Sequence, residues 1–584
     1  MFNPYLLDIR PIGPIDHPHC KSYVVSSTAP INVEQPPLEG HDPRPAIAQM
    51  VEFIQSQVRQ GIPTIDVLIQ IHGYNTDASY ISWVYEQTAT ELTQTFPPEG
   101  AARLYLGYRW SSEPMPGKFN DWLKLVRQAV LALPRSLGGL WQLSQFGIVA
   151  MLIGVIFGFL VVVSEGLRLV GVFLMFGVLF LLMIVLLVAI GALVGLRVTH
   201  YFRDVHRAEN YGVLDLIELL RQLDRALVTA TAEGHWPHPR IRLSFVGHSM
   251  GAFVVTQAVR ILSDVFDTRS IATLDLGEPT TPPSGEVGHV FRLGRLVLVA
   301  PDISIENVIS GRANTLRSAI RRFEEAYLFS NEGDMALRLA STIANYFSFP
   351  AATREGGYRL GVLTVRPPAM DEELRQTQYG VLNLDQAGQF SDRSHFLDYL
   401  AFAPNRSLRD RQANLWGTDA AKVTERRPIA ELFTYFDCTD YQEGLADQKT
   451  GEILSSPLLG LAEGKASLND RDLVRLAYRA FKGKVDPHGG YLQEDARFVR
   501  QLIFGLGCYG FGGFLDWLVI ASEYGSQYQQ VCQPDGRMLS PEAHRLALLQ
   551  LFSQLNADRG IQVLLAPERY AVTVLSEPPD RCGY

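Results

Sequence analysis

Two long uncharged runs near the middle of the chain constrain its folding more than any other feature. No Asp, Glu, Lys or Arg occurs from Ser136 to Ser164 or from Leu169 to Leu196, and only the short stretch SEGLR, with Glu165 and Arg168, separates the two. Each run exceeds the roughly 20 residues that a helix rising about 1.5 Å per residue needs to cross a bilayer. The pattern predicts a two-helix transmembrane hairpin over residues 136–197. Lys118, Lys124, Arg127 and Arg135 precede it and Arg197, Arg203 and Arg207 follow it. Basic flanks on both sides place both on the cytoplasmic face. An even number of crossings returns the chain to its starting side, so the sequence before and after the hairpin can build one folded unit there. The expectation is an integral membrane protein with two spans and a bilayer as its partner.

The rest of the chain is ordinary in charge and poor in cysteine. Lys plus Arg number 52 against 61 Asp plus Glu in 584 residues, a net charge of −9. No basic footprint for nucleic acid is present, and nucleic acid is not expected as a partner. Cys20, Cys438, Cys508, Cys532 and Cys582 are odd in number and show no C-x-x-C spacing, which argues against a disulfide framework or a zinc knuckle and fits a reducing compartment. His17, His19 and Cys20 in IDHPHC lack a second ligand pair, so this stretch reads as a loop. Neither a metal nor a cofactor is expected. The N-terminus has no basic segment followed by an unbroken apolar run, so no cleaved secretory signal is expected.

Residues 241–259 read IRLSFVGHSMGAFVVTQAV, an apolar strand-like run that reaches Gly247-His248-Ser249-Met250-Gly251 and continues at helical spacing. This is the pattern of a nucleophile elbow. Its serine sits on a sharp strand-to-helix turn, and glycines are needed where a Cβ would not fit. Upstream, IDVLIQIHGYNT at 65–76 is another strand, ending at His72-Gly73-Tyr74-Asn75. In hydrolases built this way, one oxyanion donor is the N–H of the residue after the nucleophile, here Met250, and the other comes from the loop after an earlier strand, here Tyr74.

A serine at its ordinary pKa is a poor nucleophile, so a histidine base and an acid that orients it are required downstream, in the order serine, acid, histidine. Two strand ends offer an acid: Asp302 after RLVLVAPDIS and Asp334 in EAYLFSNEGDMALRLAS. Asp334 is preferred for its Gly-Asp turn chemistry, with Asp302 as the alternative. Three histidines remain beyond it, His395, His488 and His544. His395, in the polar loop QFSDRSHFLDYL, is the expected base; His488 in VDPHGG reads as a turn residue and His544 as a helix residue. His248, inside the elbow, reads as a packing residue.

IHGYNT, GHSMG, APD, NEGDMAL, REGGYRLG and SHF, in that order, resemble a bacterial α/β-hydrolase family of unknown function whose members carry an H-G-F/Y-N-T strand and a G-H-S-M-G elbow. The resemblance covers about residues 60–135 and 200–403. It implies a serine hydrolase fold with Ser249, Asp334 and His395 as the triad, and it implies no settled substrate.

Strands alternating with helices from residue 61 onward indicate a mostly parallel sheet with helices on both faces. The expected fold class is α/β: an α/β-hydrolase domain in two parts, 1–135 and 198–403, interrupted by the hairpin at 136–197 and followed by a mainly helical region of unknown role at 404–584. Within that region, QLIFGLGCYGFGGFLDWLVIA at 501–521 is apolar but holds five glycines and Asp516, and reads as a buried or interfacial segment rather than a third span. The expected activity is hydrolysis of a small-molecule acyl ester, with a lipid ester as one class. A silent interaction scaffold, an acyltransferase and a peptidase are the alternatives.

Overall fold

The structure, a computed structural model, describes residues 5–13, 17–30, 38–98, 100–112, 200–231, 234–263, 285–309, 316–341, 357–366, 378–385, 388–390, 393–403, 406–410, 429–446, 453–464, 468–521, 524–525, 528–529 and 539–566. The hairpin expected at 136–197 lies outside the described residues. The chain divides into two compact units, Met1–Glu113 joined with Asp204–Tyr584, and Pro114–Arg203. The second lies almost wholly outside the described residues.

The first unit is organised around a sheet. Its strands are β1 (Leu7–Pro11), β2 (Cys20–Ser27), β3 (Thr64–Ile71), β4 (Ala101–Arg109), β5 (Ile241–His248), β6 (Glu286–Val287), β7 (Phe291–Val299), β8 (Glu325–Ser330), β10 (Gly380–Val381), β13 (Thr434–Asp437) and β16 (Gln562–Leu564). Between β8 and β16 in sequence, β9 (Thr364–Val365), β11 (Leu400–Ala403) and β12 (Arg406–Ser407) form a small second sheet, and β14 (Gln442–Ala446) pairs with β15 (Ile453–Pro457). In the main sheet the order is β1-β2-β4-β3-β5-β7-β8-β13-β16-β10, with β6 on the flank of β7. From β2 to β13 every pairing is parallel, while β1–β2, β6–β7 and β13–β16 are antiparallel. The sheet is thus mostly parallel, as the alternation of strands and helices requires.

Central strands are apolar without alternation because both faces are covered. In β3, TIDVLIQI, every residue after Thr64 is buried, and such runs belong to strands packed by helices on two sides. Among the described residues the longer helices are α1 (Arg44–Arg59), α2 (Ala78–Gln94), α3 (Val213–Thr229), α4 (Met250–Leu262), α5 (Asp470–Phe481), α6 (Arg497–Ile520) and α7 (Pro541–Ala557). Helix α2 starts where Asp77 accepts hydrogen bonds from the N–H groups of Ser79 and Tyr80, satisfying donors that a first helical turn leaves open.

One expectation is corrected here and another is met. The region 404–584 is not an appendage, because β13 extends the sheet beside β8, β16 pairs with β13, and the whole stretch belongs to the first unit. Its division from 198–403 therefore has no counterpart in the packing. The apolar segment 501–521 forms α6, which is long and apolar enough to cross a membrane but lies largely buried in the protein. It shares one core with Val246 of β5, Val297 of β7, and Phe552 of α7. Burying a Phe or Leu side chain stabilises by roughly 1.5–3 kcal/mol, so a helix this apolar finds its place against a sheet as readily as in lipid.

Candidate active site

The elbow is built by steric exclusion. Ser249 stands between β5 and α4 with φ 53° and ψ −120°, a backbone state that non-glycine residues occupy only where the surroundings enforce it. A Cβ on Gly247 would lie 2.8 Å from Ala252 Cα, and one on Gly251 would lie 2.5 Å from the Ile71 carbonyl oxygen. The first glycine lets the helix fold back on its strand, and the second lets the helix lie against the end of β3. Gly73 belongs to the same contact, since its Cβ would meet Ser249 Cβ at 2.8 Å.

The histidine beside Ser249 is His488. Its Nε2 lies 3.0 Å from Ser249 Oγ, and its Nδ1 lies 2.7 Å from Asp334 Oδ2. A carboxylate only accepts, so Nδ1–H donates to Asp334 and Nε2 is left to accept from the Ser249 hydroxyl. Ser249 and Asp334 are fully buried, while the His488 side chain keeps 18% of its surface exposed. Burial by itself disfavours the His488 imidazolium, but the carboxylates of Asp334 and Asp486 outweigh it, and the pKa is raised above its ordinary 6.5.

Asp334, the expected acid, therefore lies against His488. Its second oxygen accepts from the Leu337 N–H at 3.0 Å. Asp302, the alternative, is paired instead with Arg359, Oδ1 to Nε at 3.0 Å. His395 requires a correction, because the place it was expected to fill is held by His488. The backbone of His395 belongs to the 3-10 helix Arg393–Tyr399, and its side chain lies outside the described residues. The physical reason is the sheet: β13 adds a strand beyond the acid strand, and the chain returns to the serine only after it.

The loop carrying His488 is fixed from several directions. Asp486 Oδ1 accepts from the N–H groups of His488 and Gly489 at 3.2 and 2.8 Å, and Gln493 Nε2 donates to Asp486 Oδ2 at 3.0 Å. Asn331, at the end of β8, donates through Nδ2 to the carbonyls of Leu459 at 2.8 Å and Pro487 at 3.3 Å. His248 Nε2–H donates to the His488 carbonyl at 2.9 Å. His248 is thus more than a packing residue. Burial first, and then the charge of His488, pull its pKa down to about 4, so it stays neutral and adds no competing charge.

The segments expected to supply the oxyanion donors are held as firmly. Met250 is the first residue of α4, where backbone N–H groups have no acceptor within the helix. Tyr74 follows Gly73, and its ring centroid stands 6.3 Å from that of His488. Asn75 has a positive φ of 59°. Its N–H donates to Asp204 Oδ2 at 3.3 Å, and the same oxygen accepts from Ser112 Oγ at 2.8 Å, which in turn takes the Thr76 N–H at 3.4 Å. Arg207 Nη1 pairs with the other Asp204 oxygen at 3.3 Å, with both side chains buried. Trp110 Nε1–H donates to the His72 carbonyl at 2.9 Å and its indole stacks on the His72 ring at 5.3 Å. Ser112 and Asp204 stand on opposite sides of the uncharged runs in sequence, yet they meet at one loop.

Among the described residues, no group of three or more His, Cys, Asp and Glu side chains is placed to hold a metal ion. Of the three residues of IDHPHC considered as ligands, His19 engages Gln57, Nδ1 to Oε1 at 2.8 Å. The arrangement joins a serine hydroxyl, a histidine and a carboxylate in one hydrogen-bonded chain, the grouping that nucleophilic attack on an acyl carbon requires.

No curated protein and no solved structure matches the chain. A family model described as "Alpha/beta hydrolase of unknown function (DUF900)" matches residues 220–411, a span that contains Ser249 and Asp334 and ends before His488. Over that span the chain is similar to this α/β-hydrolase family.

Proposed function

We propose that the protein is a membrane-anchored serine hydrolase that cleaves an ester or related acyl bond, with lipid-derived esters as one substrate class. The observation that carries this reading is the Ser249–His488–Asp334 chain, with contacts of 3.0 and 2.7 Å. His488 Nε2 takes the Ser249 hydroxyl proton as Oγ attacks the acyl carbon, and Asp334 stabilises the imidazolium that forms. The N–H groups of Met250 and Tyr74 face the oxygen that gains charge. His488 then gives its proton to the departing alkoxide, leaving an acyl-Ser249 ester. Water attacks that ester, its proton passes to His488 and then to Ser249 Oγ, and the acid is released. The hairpin at 136–197 would hold this domain on the cytoplasmic face of a membrane, supported by the uncharged runs and their basic flanks.

The direct test is turnover of a short-chain p-nitrophenyl ester by the detergent-solubilised full chain. Ser249→Ala is expected to lower the rate by at least about 10³-fold. Equal turnover by the wild type and Ser249→Ala would refute the reading.

A further inference from the structure

Helix α5, Asp470–Phe481, has two apolar faces, and only one of them is used. Leu476 is fully buried and packs with Leu461, Leu468 and Val485, with Leu473 and Ala480 against the same cluster. On the other side Val474, Tyr478 and Phe481 are 70%, 63% and 86% exposed. Spacings of four and three residues put these three on one stripe. Among the described residues nothing covers the stripe.

The helix does not need a partner on that side to form. Asn469 caps it by accepting from the N–H groups of Arg471 and Asp472, and the Asp472 carboxylate returns a bond to the Asn469 N–H, completing a capping box. An exposed Val, Tyr and Phe therefore contribute nothing to the fold that a polar residue would not, and their presence requires another account.

Charge supplies it. Arg471, Arg475, Arg479, Lys482 and Lys484 lie on or just after the helix, against the acids Asp470 and Asp472, in a chain whose net charge is −9. The local sign is the reverse of the global one. Arg475 pairs with Glu463 at 2.7 Å, and Lys482 Nζ stands over the Tyr478 ring, 5.5 Å from its centroid, a cation–π contact on the exposed side of the helix. A basic helix with an apolar stripe matches a surface that is both negatively charged and oily.

We propose that the outward face of α5 docks on an anionic lipid surface, with Val474, Tyr478 and Phe481 in the acyl boundary and the basic side chains among the headgroups. Val485, which follows the helix and shares its buried cluster, is directly followed by Asp486 and the His488 loop. Docking therefore sets the base-bearing loop beside the lipid surface. The proposal does not depend on the chemistry of Ser249.

The test places an environment-sensitive nitrobenzoxadiazole label at residue 481 in the full chain, as Phe481→Cys with Cys532→Ser and Cys582→Ser; Cys20, Cys438 and Cys508 are buried. Emission and quenching by doxyl-labelled lipid are measured in vesicles of phosphatidylcholine alone and with phosphatidylglycerol, with the same label also placed on Ser249→Ala. A blue shift and lipid quenching that appear with phosphatidylglycerol, persist in Ser249→Ala and are lost on adding Arg471→Glu, Lys482→Glu and Lys484→Glu are expected. Emission unchanged by either vesicle would overturn the proposal. So would a blue shift without lipid quenching, which would assign the face to protein, or quenching equal in both vesicles. Absence of esterase activity in the wild type, with the quenching intact, would count against the hydrolase reading alone.

Discussion

His488 and His395 differ in what their surroundings ask of them. His488 faces Asp334, and its raised pKa means that the protonated form, which cannot accept the Ser249 proton, persists to a higher pH than in a free histidine. The expected kcat/KM therefore rises with pH through a midpoint above 6.5, and Asp334→Asn moves that midpoint down while lowering the rate by about 10⁴-fold. A pH–rate profile of both proteins checks this; an unmoved midpoint would separate Asp334 from the base. The linked stability runs the other way. A histidine whose folded pKa is raised contributes stability that is fully present below its unfolded pKa and is lost as pH rises through the folded one. Asp204 acts at one remove, through the N–H of Asn75. Asp204→Ala is expected to lower kcat by roughly tenfold to a hundredfold with KM little changed, since a loosened oxyanion loop loses contacts made in the transition state. Asp204→Asn, which keeps one acceptor oxygen, is expected to recover part of the rate. Steady-state kinetics on a soluble ester distinguish this from a binding defect, in which KM alone would rise.

Helix α6 shows how an element that satisfies the length and apolarity of a membrane span is committed to a protein core. The helix breaks at Gly510, where φ is 74° and ψ −177°, and the break leaves backbone groups of two half-helices open inside the core. Arg295 of β7 donates to the carbonyls of Cys508 and Tyr509 at 2.8 and 3.0 Å, and Glu325 of β8 accepts the Phe511 N–H at 3.1 Å. Arg295 and Glu325 are paired neighbours across the sheet, so one pair of side chains caps both halves of the break, each with the sign that the helix end favours. A Cβ at residue 510 would both strain the positive φ and collide with the Glu325 carboxylate. Gly510→Ala is expected to destabilise the protein by about 1–3 kcal/mol, measurable as a lowered Tm in detergent; no change would mean that the break is not held. The glycines and Asp516 that marked 501–521 as a buried or interfacial segment in the sequence were therefore informative for a physical reason, whereas the latch residues on distant strands carried no local signal.

At the scale of the whole molecule, what the sequence reveals follows from how local each signal is. The elbow and the oxyanion strand are local, because Gly247, Gly251 and Gly73 are dictated by contacts around one turn. Asp334 was readable because it ends a strand in a Gly-Asp turn. His488 was not, because its role depends on β13 and β16 completing the sheet after the span shared with the family. One signal did point to it. FTYFDCTDY is a strand beyond the acid strand, and a base that follows the last parallel strand must be sought after it, where DPHGG offers an Asp-capped turn with the histidine at its tip. The most direct measurement is fluorophosphonate labelling of the detergent-solubilised wild type, Ser249→Ala, His488→Ala and His395→Ala, each shown to be folded. Labelling of the wild type and His395→Ala, with none of Ser249→Ala and strongly slowed labelling of His488→Ala, is the expected result. Labelling of His488→Ala at the wild-type rate, with His395→Ala silent, would contradict the account.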